Sequence, residues 1–229
     1  MKNFSKYFIG LLIVALAACD KEGEVPADVG KDYFPLQKGH YQIYTIDEIR
    51  YSEVAAPETL AYELMTEVVD SFPQQGGYTY IVHRSTRANS GAPWQFLDTW
   101  SVRAESRELV IAEGNVSFVK MVFPVKAGNT WDGNKFNTQE EDEYEMTSVG
   151  EPFTVNDITF SQSLTINQND NGDLIVFQDK RSETYARDVG LIFKESVQLN
   201  YCTTPSCLGK QIVDSGVIYK QSIKEYGRR

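Results

Sequence analysis

The 229-residue chain carries 22 basic and 32 acidic side chains, for a formal net charge of −10, and 12% of its residues are aromatic. Such an acidic surface repels phosphate backbones and anionic headgroups alike, which argues against a nucleic-acid partner and leaves membrane contact to a lipid. The length suits one all-β domain, a class that runs past 200 residues as a single unit.

The N-terminus pairs Lys2 and Lys6 with an uncharged apolar run from Tyr7 to Ala18, closing in Leu16-Ala17-Ala18-Cys19. Positive, apolar, small is the order of a secretory signal. The run is far shorter than the roughly 20 residues a spanning helix needs, so it reads as a cleaved signal and not a retained span. Leu16 to Cys19 resembles the lipobox of bacterial lipoproteins. That resemblance implies cleavage between Ala18 and Cys19, a diacylglyceryl group on the Cys19 thiol and acylation of the new amine. Two or three chains exceed the single chain that holds a protein to a bilayer only marginally. Residues 1–18 hold two lysines and no acid, so cleavage takes the net charge to −12.

Asp20 to Lys31 is polar, with Gly, Pro and charge but no apolar periodicity, and reads as a tether with a reach on the order of 40 Å. Its acidic start (Asp20, Glu22, Glu24) loosely resembles the export signals of Bacteroidetes-type surface lipoproteins. The expected organisation is therefore a signal over 1–18, acylated cysteine and tether over 19–31, and one domain over 32–229. The expected location is the outer membrane, on the periplasmic face or at the cell surface.

Beyond the tether, short period-2 segments alternate with Gly, Asn, Asp and Pro turns. Ile158, Phe160, Leu164 and Ile166 alternate with Thr159, Ser161, Ser163 and Thr165, and similar period-2 spacing appears in Tyr78, Tyr80 and Val82 and in Trp94, Phe96, Trp100 and Val102. Pro57 to Val69 fits both a spacing of four and a spacing of two. The Gln74–Gly77 turn leading into Tyr78–Val82 favours a strand and a hairpin. About ten to twelve strands result, predicting an antiparallel meander closed into a barrel or a curved half-barrel.

Tyr33-Phe-Pro-Leu-Gln-Lys-Gly39, followed by His40-Tyr41-Gln-Ile-Tyr44, resembles the opening of uncharacterised Bacteroidetes-type secreted lipoproteins, which pass straight from Tyr-Phe-Pro-Leu-x-x-Gly into a first strand. Those proteins often place Trp where this chain has Tyr41. Phe160 to Asn167, Glu183 to Glu195 and Ser215 to Gly227 extend the likeness as scattered strand-and-turn phrases. The resemblance implies a calycin-like or lipoprotein-carrier-like sheet and brings no catalytic residue with it. A related phrase, Phe123-Pro-Val-Lys-Ala-Gly128, marks either an old duplication or a second strand lead-in, and we favour the lead-in.

With Cys19 acylated, Cys202 and Cys207 remain, and in an oxidising compartment they are expected to pair. A zinc site would need further ligands, and His40 and His83 lie far off in sequence. Asn167-x-Asn169-x-Asn171-Gly172-Asp173 echoes the first half of a calcium loop. Gln178, however, stands where the bidentate Glu belongs, and an Asn-Gly hairpin turn explains the same residues. Glu140-Glu-Asp-Glu143, with Glu145 and Tyr144, reads as a solvated loop. No residue is assigned to catalysis, and no cofactor is expected. The leading expectation is non-catalytic binding of an apolar or glycan ligand in an aromatic concavity. An interaction subunit of a surface complex comes second, and a carboxylate-based hydrolase third.

Overall fold

The computed structural model describes residues 28–74 and 77–229. After a 3₁₀ turn at Lys31–Tyr33, twelve strands follow: β1 (His40–Ser52), β2 (Ala55–Gln74), β3 (Gly77–Arg87), β4 (Gln95–Ala104), β5 (Glu108–Glu113), β6 (Val116–Val122), β7 (Thr130–Asp132), β8 (Glu143–Val155), β9 (Ile158–Gly172), β10 (Phe177–Ala186), β11 (Gly190–Tyr201) and β12 (Val213–Arg228). Pro57 to Val69 lies inside β2 and is strand throughout. Period two prevails there because Leu64, Thr66 and Val68 face the barrel interior while Glu63 and Met65 face outward.

Consecutive strands pair antiparallel throughout except β6 and β7, and β1 pairs with β12 from His40↔Arg228 to Tyr51↔Gly216. The result is a nearly closed barrel with its seam between β6 and β7. There the Val119 amide donates to the Gly133 carbonyl at 2.9 Å, the Trp131 indole N–H to the Val119 carbonyl at 2.8 Å and the Asn137 amide to the Ser117 carbonyl at 3.0 Å. These bonds satisfy backbone groups that an open edge would leave for another chain. Eight strands make an interior that side chains just fill, so twelve leave room for a lumen.

The alternation expected along β9 holds for Phe160, Leu164 and Ile166, all buried, but Ile158 lies 36% exposed at the hairpin tip. Along β4 the expected face is broken. Asp98 pairs with Arg84 and Phe96 with Ser85, so Leu97 is an extra residue that turns the strand over. Trp100 and Val102 point inward, whereas Phe96 is 64% exposed and meets the outward-facing His83 at 5.5 Å.

The Gly39 and Gly128 phrases both lead into strands, β1 and β7, with the same local bonding. Each glycine has φ near +83°. The Gly39 amide donates to Val68 of β2 and the Gly128 amide to Met146 of β8, both at 2.8 Å, and the following residue closes a turn onto Gln37 or Lys126.

The N-terminal segment seals the end of the barrel where β1 begins. Tyr33 is fully buried in the larger core cluster, beneath the Arg187 guanidinium at 4.7 Å, and the Val125 amide donates to Val29. The tether expected to run to Lys31 is thus already docked at Asp28, which pairs with Arg187 at 2.7 Å, as does Asp32 at 2.6 Å. Two charge pairs on one guanidinium hold a stretch whose composition predicts none of this. A second cluster, including Val155, Phe160, Ile192 and Ile223, ties the β8–β9 hairpin tip to β1, β11 and β12.

Candidate functional site

The lumen holds a cavity of about 440 Å³, within the range typical of small-molecule sites. Phe34 and Pro35 of the N-terminal segment form its floor. Apolar wall comes from Leu64, Val68, Val82, Val102, Ile111 and Leu191, and aromatic wall from Tyr44, Tyr62, Trp100, Tyr185 and Tyr219. These side chains share one face because each strand sends alternate residues inward.

A buried ion network crosses the lumen. Lys120 of β6, 5% exposed, lies 3.1 Å from Glu113 of β5 and 3.2 Å from Glu183 of β10. Glu183, 2% exposed, also receives Lys194 at 3.0 Å and the Tyr185 hydroxyl at 2.6 Å. Burial by itself would push the Glu183 carboxyl up. Lys120 and Lys194, together with the Tyr185 hydrogen bond, overcome burial and hold it well below the usual carboxylate range. The same pairing, with Glu183 and Glu113, keeps Lys120 charged against burial. Tyr144 beside them is pushed up to about 12, chiefly by burial. A carboxyl held ionised in this way is unsuited to donate a proton, the part that glycosidic bond cleavage asks of one acid.

Lys120 reaches the lumen through a bulge. Leu109 pairs with Met121 and Val110 with Val119, so Lys120 is the extra residue between them. The sequence reading passed over it. Its one signal is a charge enclosed by the apolar run Phe118-Val119-Lys120-Met121-Val122. Arg84 and Glu183 were missed as well, although Arg84 continues the inward parity of Val82.

Polar side chains next to the network are tied to the frame. The Gln42 amide donates to the carbonyls of Val189 at 2.9 Å and Leu191 at 2.8 Å, the Tyr44 hydroxyl to Leu191 at 3.1 Å and the Tyr219 hydroxyl to Gln221 at 2.8 Å. His40 donates to Val189 at 3.0 Å, and burial lowers its pKa. On the rim, the Tyr62 hydroxyl donates to Glu48 at 3.3 Å.

The other residues singled out from sequence lie elsewhere. Ala18 and Cys19 fall outside the described residues. Cys202 and Cys207 form a disulfide with Cα atoms 5.8 Å apart in the β11–β12 loop, at the barrel end opposite the N-terminal segment. Asn167, Asn169 and Asn171 lie along strand β9, paired with Ser182, Arg181 and Asp179, and do not wrap around a centre. The turn comes later than the Asn-Gly reading places it. Asp173 accepts the amides of Ile175, Val176 and Phe177 at 2.7 to 3.2 Å, which fixes the β9–β10 turn with the oxygen a calcium loop would use. Among the described residues, no group of three or more His, Cys, Asp or Glu is placed to hold a metal. The acidic run is divided. Asp142 takes a two-point bond from Arg181 at 2.7 and 3.1 Å, while Tyr144 turns inward, with Glu143 and Glu145 on the opposite face.

No protein-family model and no curated protein matches the chain. Two solved structures are similar to it. One is a presumed exported protein with a YmcC-like fold from Bacteroides fragilis, at 14% identity over 85% of this chain and 98% of that one, with a TM-score of 0.47. The other is a presumed lipoprotein from Parabacteroides distasonis, at 11% identity over the same shares, with a TM-score of 0.40. Neither likeness carries any chemistry to this chain.

Proposed function

We propose that this protein is an envelope lipoprotein, anchored to the outer membrane through acylated Cys19, that binds a small ligand non-catalytically inside its barrel. The cavity of about 440 Å³ carries the reading. Its walls mix aromatic and aliphatic surface with polar groups fixed by the frame, which is the make-up of small-molecule sites. A purely aliphatic chain fits poorly, because it would lie against Lys120, Glu113 and Glu183. The expected ligand is therefore amphiphilic and not a bare acyl chain.

A second reading, an interaction subunit, draws on exposed aliphatic side chains at the end of the barrel away from the N-terminal segment. Leu174, Ile175 and Val176 project from the β9–β10 turn, and Leu208 and Ile212 from the neighbouring disulfide loop, each between 42% and 53% exposed.

Native mass spectrometry of the protein purified from its own membrane separates the two. A retained mass of a few hundred daltons supports the lumen reading, a retained protein supports the second, and the bare acylated chain counts against both. The anchor has its own test: Cys19→Ala is expected to abolish incorporation of labelled fatty acid, and continued labelling would sink it.

A further inference from the structure

The charges facing the lumen cancel. Its wall carries three acids, Glu67, Glu113 and Glu183, and three bases, Arg84, Lys120 and Lys194. Each stands against an opposite charge: Lys120 against Glu113 at 3.1 Å, Lys194 against Glu183 at 3.0 Å, Arg84 against Asp98 at 3.0 Å and Glu67 against Arg229 at 3.5 Å. Asp98 and Arg229 lie outside the wall and offset each other, which leaves four acids and four bases. His40 also lines the cavity, and burial lowers its pKa, which favours the neutral ring. A ligand that brought a net charge into this space would lose its water and find no counter-charge left over.

The three wall cations differ in what they can offer. Lys120 is enclosed, with 6% of its side chain exposed, and is shared by Glu113 and Glu183. Arg84 stacks on the Trp100 indole at 3.8 Å, and its Nε, without a partner among the described residues, is sealed from any space a ligand could enter. Lys194 is different. It sits in a row that runs Glu183, Lys194, Gln221, Ile46 across four strands; the other three are between 1% and 5% exposed, yet the Lys194 side chain is 23% exposed. A side chain that faces inward among buried neighbours owes its exposure to the cavity. Its ammonium has three N–H donors and one described partner, Glu183.

We infer that the lumen ligand is an uncharged amphiphile whose carbonyl or hydroxyl oxygen accepts a hydrogen bond from the Lys194 ammonium. This rests on the lumen reading above and names the ligand class for it. A neutral acceptor takes up an N–H of Lys194 and leaves the balance of charge as it is. An anion in the same place would compete with Glu183 for the ammonium, and a cation would compete with Lys194 for Glu183. Leu64, Val82, Val102 and Leu191 supply aliphatic surface for the rest of the ligand.

The test uses the full mature chain, with Cys19→Ala to keep detergent out of the assay, and four probes of one length: octanamide, 1-octanol, octanoate and octylammonium. Calorimetry measures affinity, and a quench of tryptophan fluorescence that Trp100→Phe removes places the probe in the lumen. At least one neutral probe is expected to bind one to one, roughly tenfold or more tighter than octanoate and octylammonium. Lys194→Met is expected to lose most of that neutral affinity and to bind octylammonium more tightly than the unsubstituted lumen does, because Glu183 then has one base fewer. Glu113→Gln leaves one acid fewer and is expected to tighten octanoate binding. Circular dichroism shows whether each variant is folded, and where one is not, the ranking of the four probes on the unsubstituted lumen decides alone. A charged probe that binds as well as the neutral ones, or a neutral affinity that Lys194→Met leaves intact, would overturn the assignment and leave the lumen reading standing. If no probe gives the Trp100 quench, both fall together.

Discussion

Replacing Lys120 by Met tests whether the ion network holds the barrel together. The new side chain has similar length, so the space is refilled and cavity formation adds little. What changes is electrostatic: Glu183, 2% exposed, loses Lys120 and keeps Lys194 at 3.0 Å and Tyr185 at 2.6 Å. Removing one partner of a buried pair typically costs about 3–5 kcal/mol, and the surviving partners place this case near 3 kcal/mol. For a domain of this size that is a fall in Tm of roughly 6–12 °C. Urea denaturation followed by tryptophan fluorescence and circular dichroism measures it, with an unchanged m-value expected. Glu183→Gln strands Lys120 with Glu113 alone. The double variant is therefore expected to lose less than the two single losses combined, by more than about 1 kcal/mol. A Lys120→Met protein within about 1 kcal/mol of wild type would refute the reasoning, as would strict additivity.

The two lead-in glycines give a paired comparison. Gly39 and Gly128 share φ near +83°, but a β-carbon on Gly39 would overlap the Arg229 carbonyl oxygen while one on Gly128 meets nothing within 4 Å. Gly128→Ala is expected to cost about 1–2 kcal/mol from the left-handed backbone alone, and Gly39→Ala clearly more, because the C-terminal end of β12 must also shift; equal losses would show that the contact does not matter. Outside the barrel, Glu63 receives Lys224, Arg87 at 2.6 Å and Ser90 at 2.7 Å; burial raises its pKa, but these partners hold it at about 2 against an ordinary 4.5. A depressed folded-state pKa stabilises above the unfolded value, and that stabilisation is lost as pH falls from 4.5 toward 2. Glu63→Gln is therefore expected to cost on the order of 3 kcal/mol at pH 7 and progressively less at acid pH, as read from urea midpoints. A cost that does not shrink with falling pH would argue against it.

Much of the fold was legible because period-2 alternation is a local property. Phe160, Leu164 and Ile166 announced one buried face, and Pro57 to Val69 resolved into a strand once the Gln74–Gly77 hairpin was considered. Less of the lumen was legible. Lys120 and Leu97 both sit at bulges, where one extra residue changes the facing of the strand, and a bulge is set by the partner strand's register. The Asn series failed as a calcium loop for a related reason: oxygen atoms at alternate positions mean a binding loop in coil and one face in a strand. Arg84 was written beside Val82 in the right parity, but nothing local says that Trp100 stacks on it or that its Nε faces no acceptor.

The sequence by itself determined an all-β chain and a short Cys202–Cys207 staple, since each depends on residues close together in the chain. Tertiary structure alone decided that the sheet nearly closes, that Asp28 and Tyr33 join the barrel, and that Lys120 meets Glu183 across 63 residues of sequence. Those outcomes follow from strand register and closure, which bring distant residues together only when twelve strands curve around one lumen.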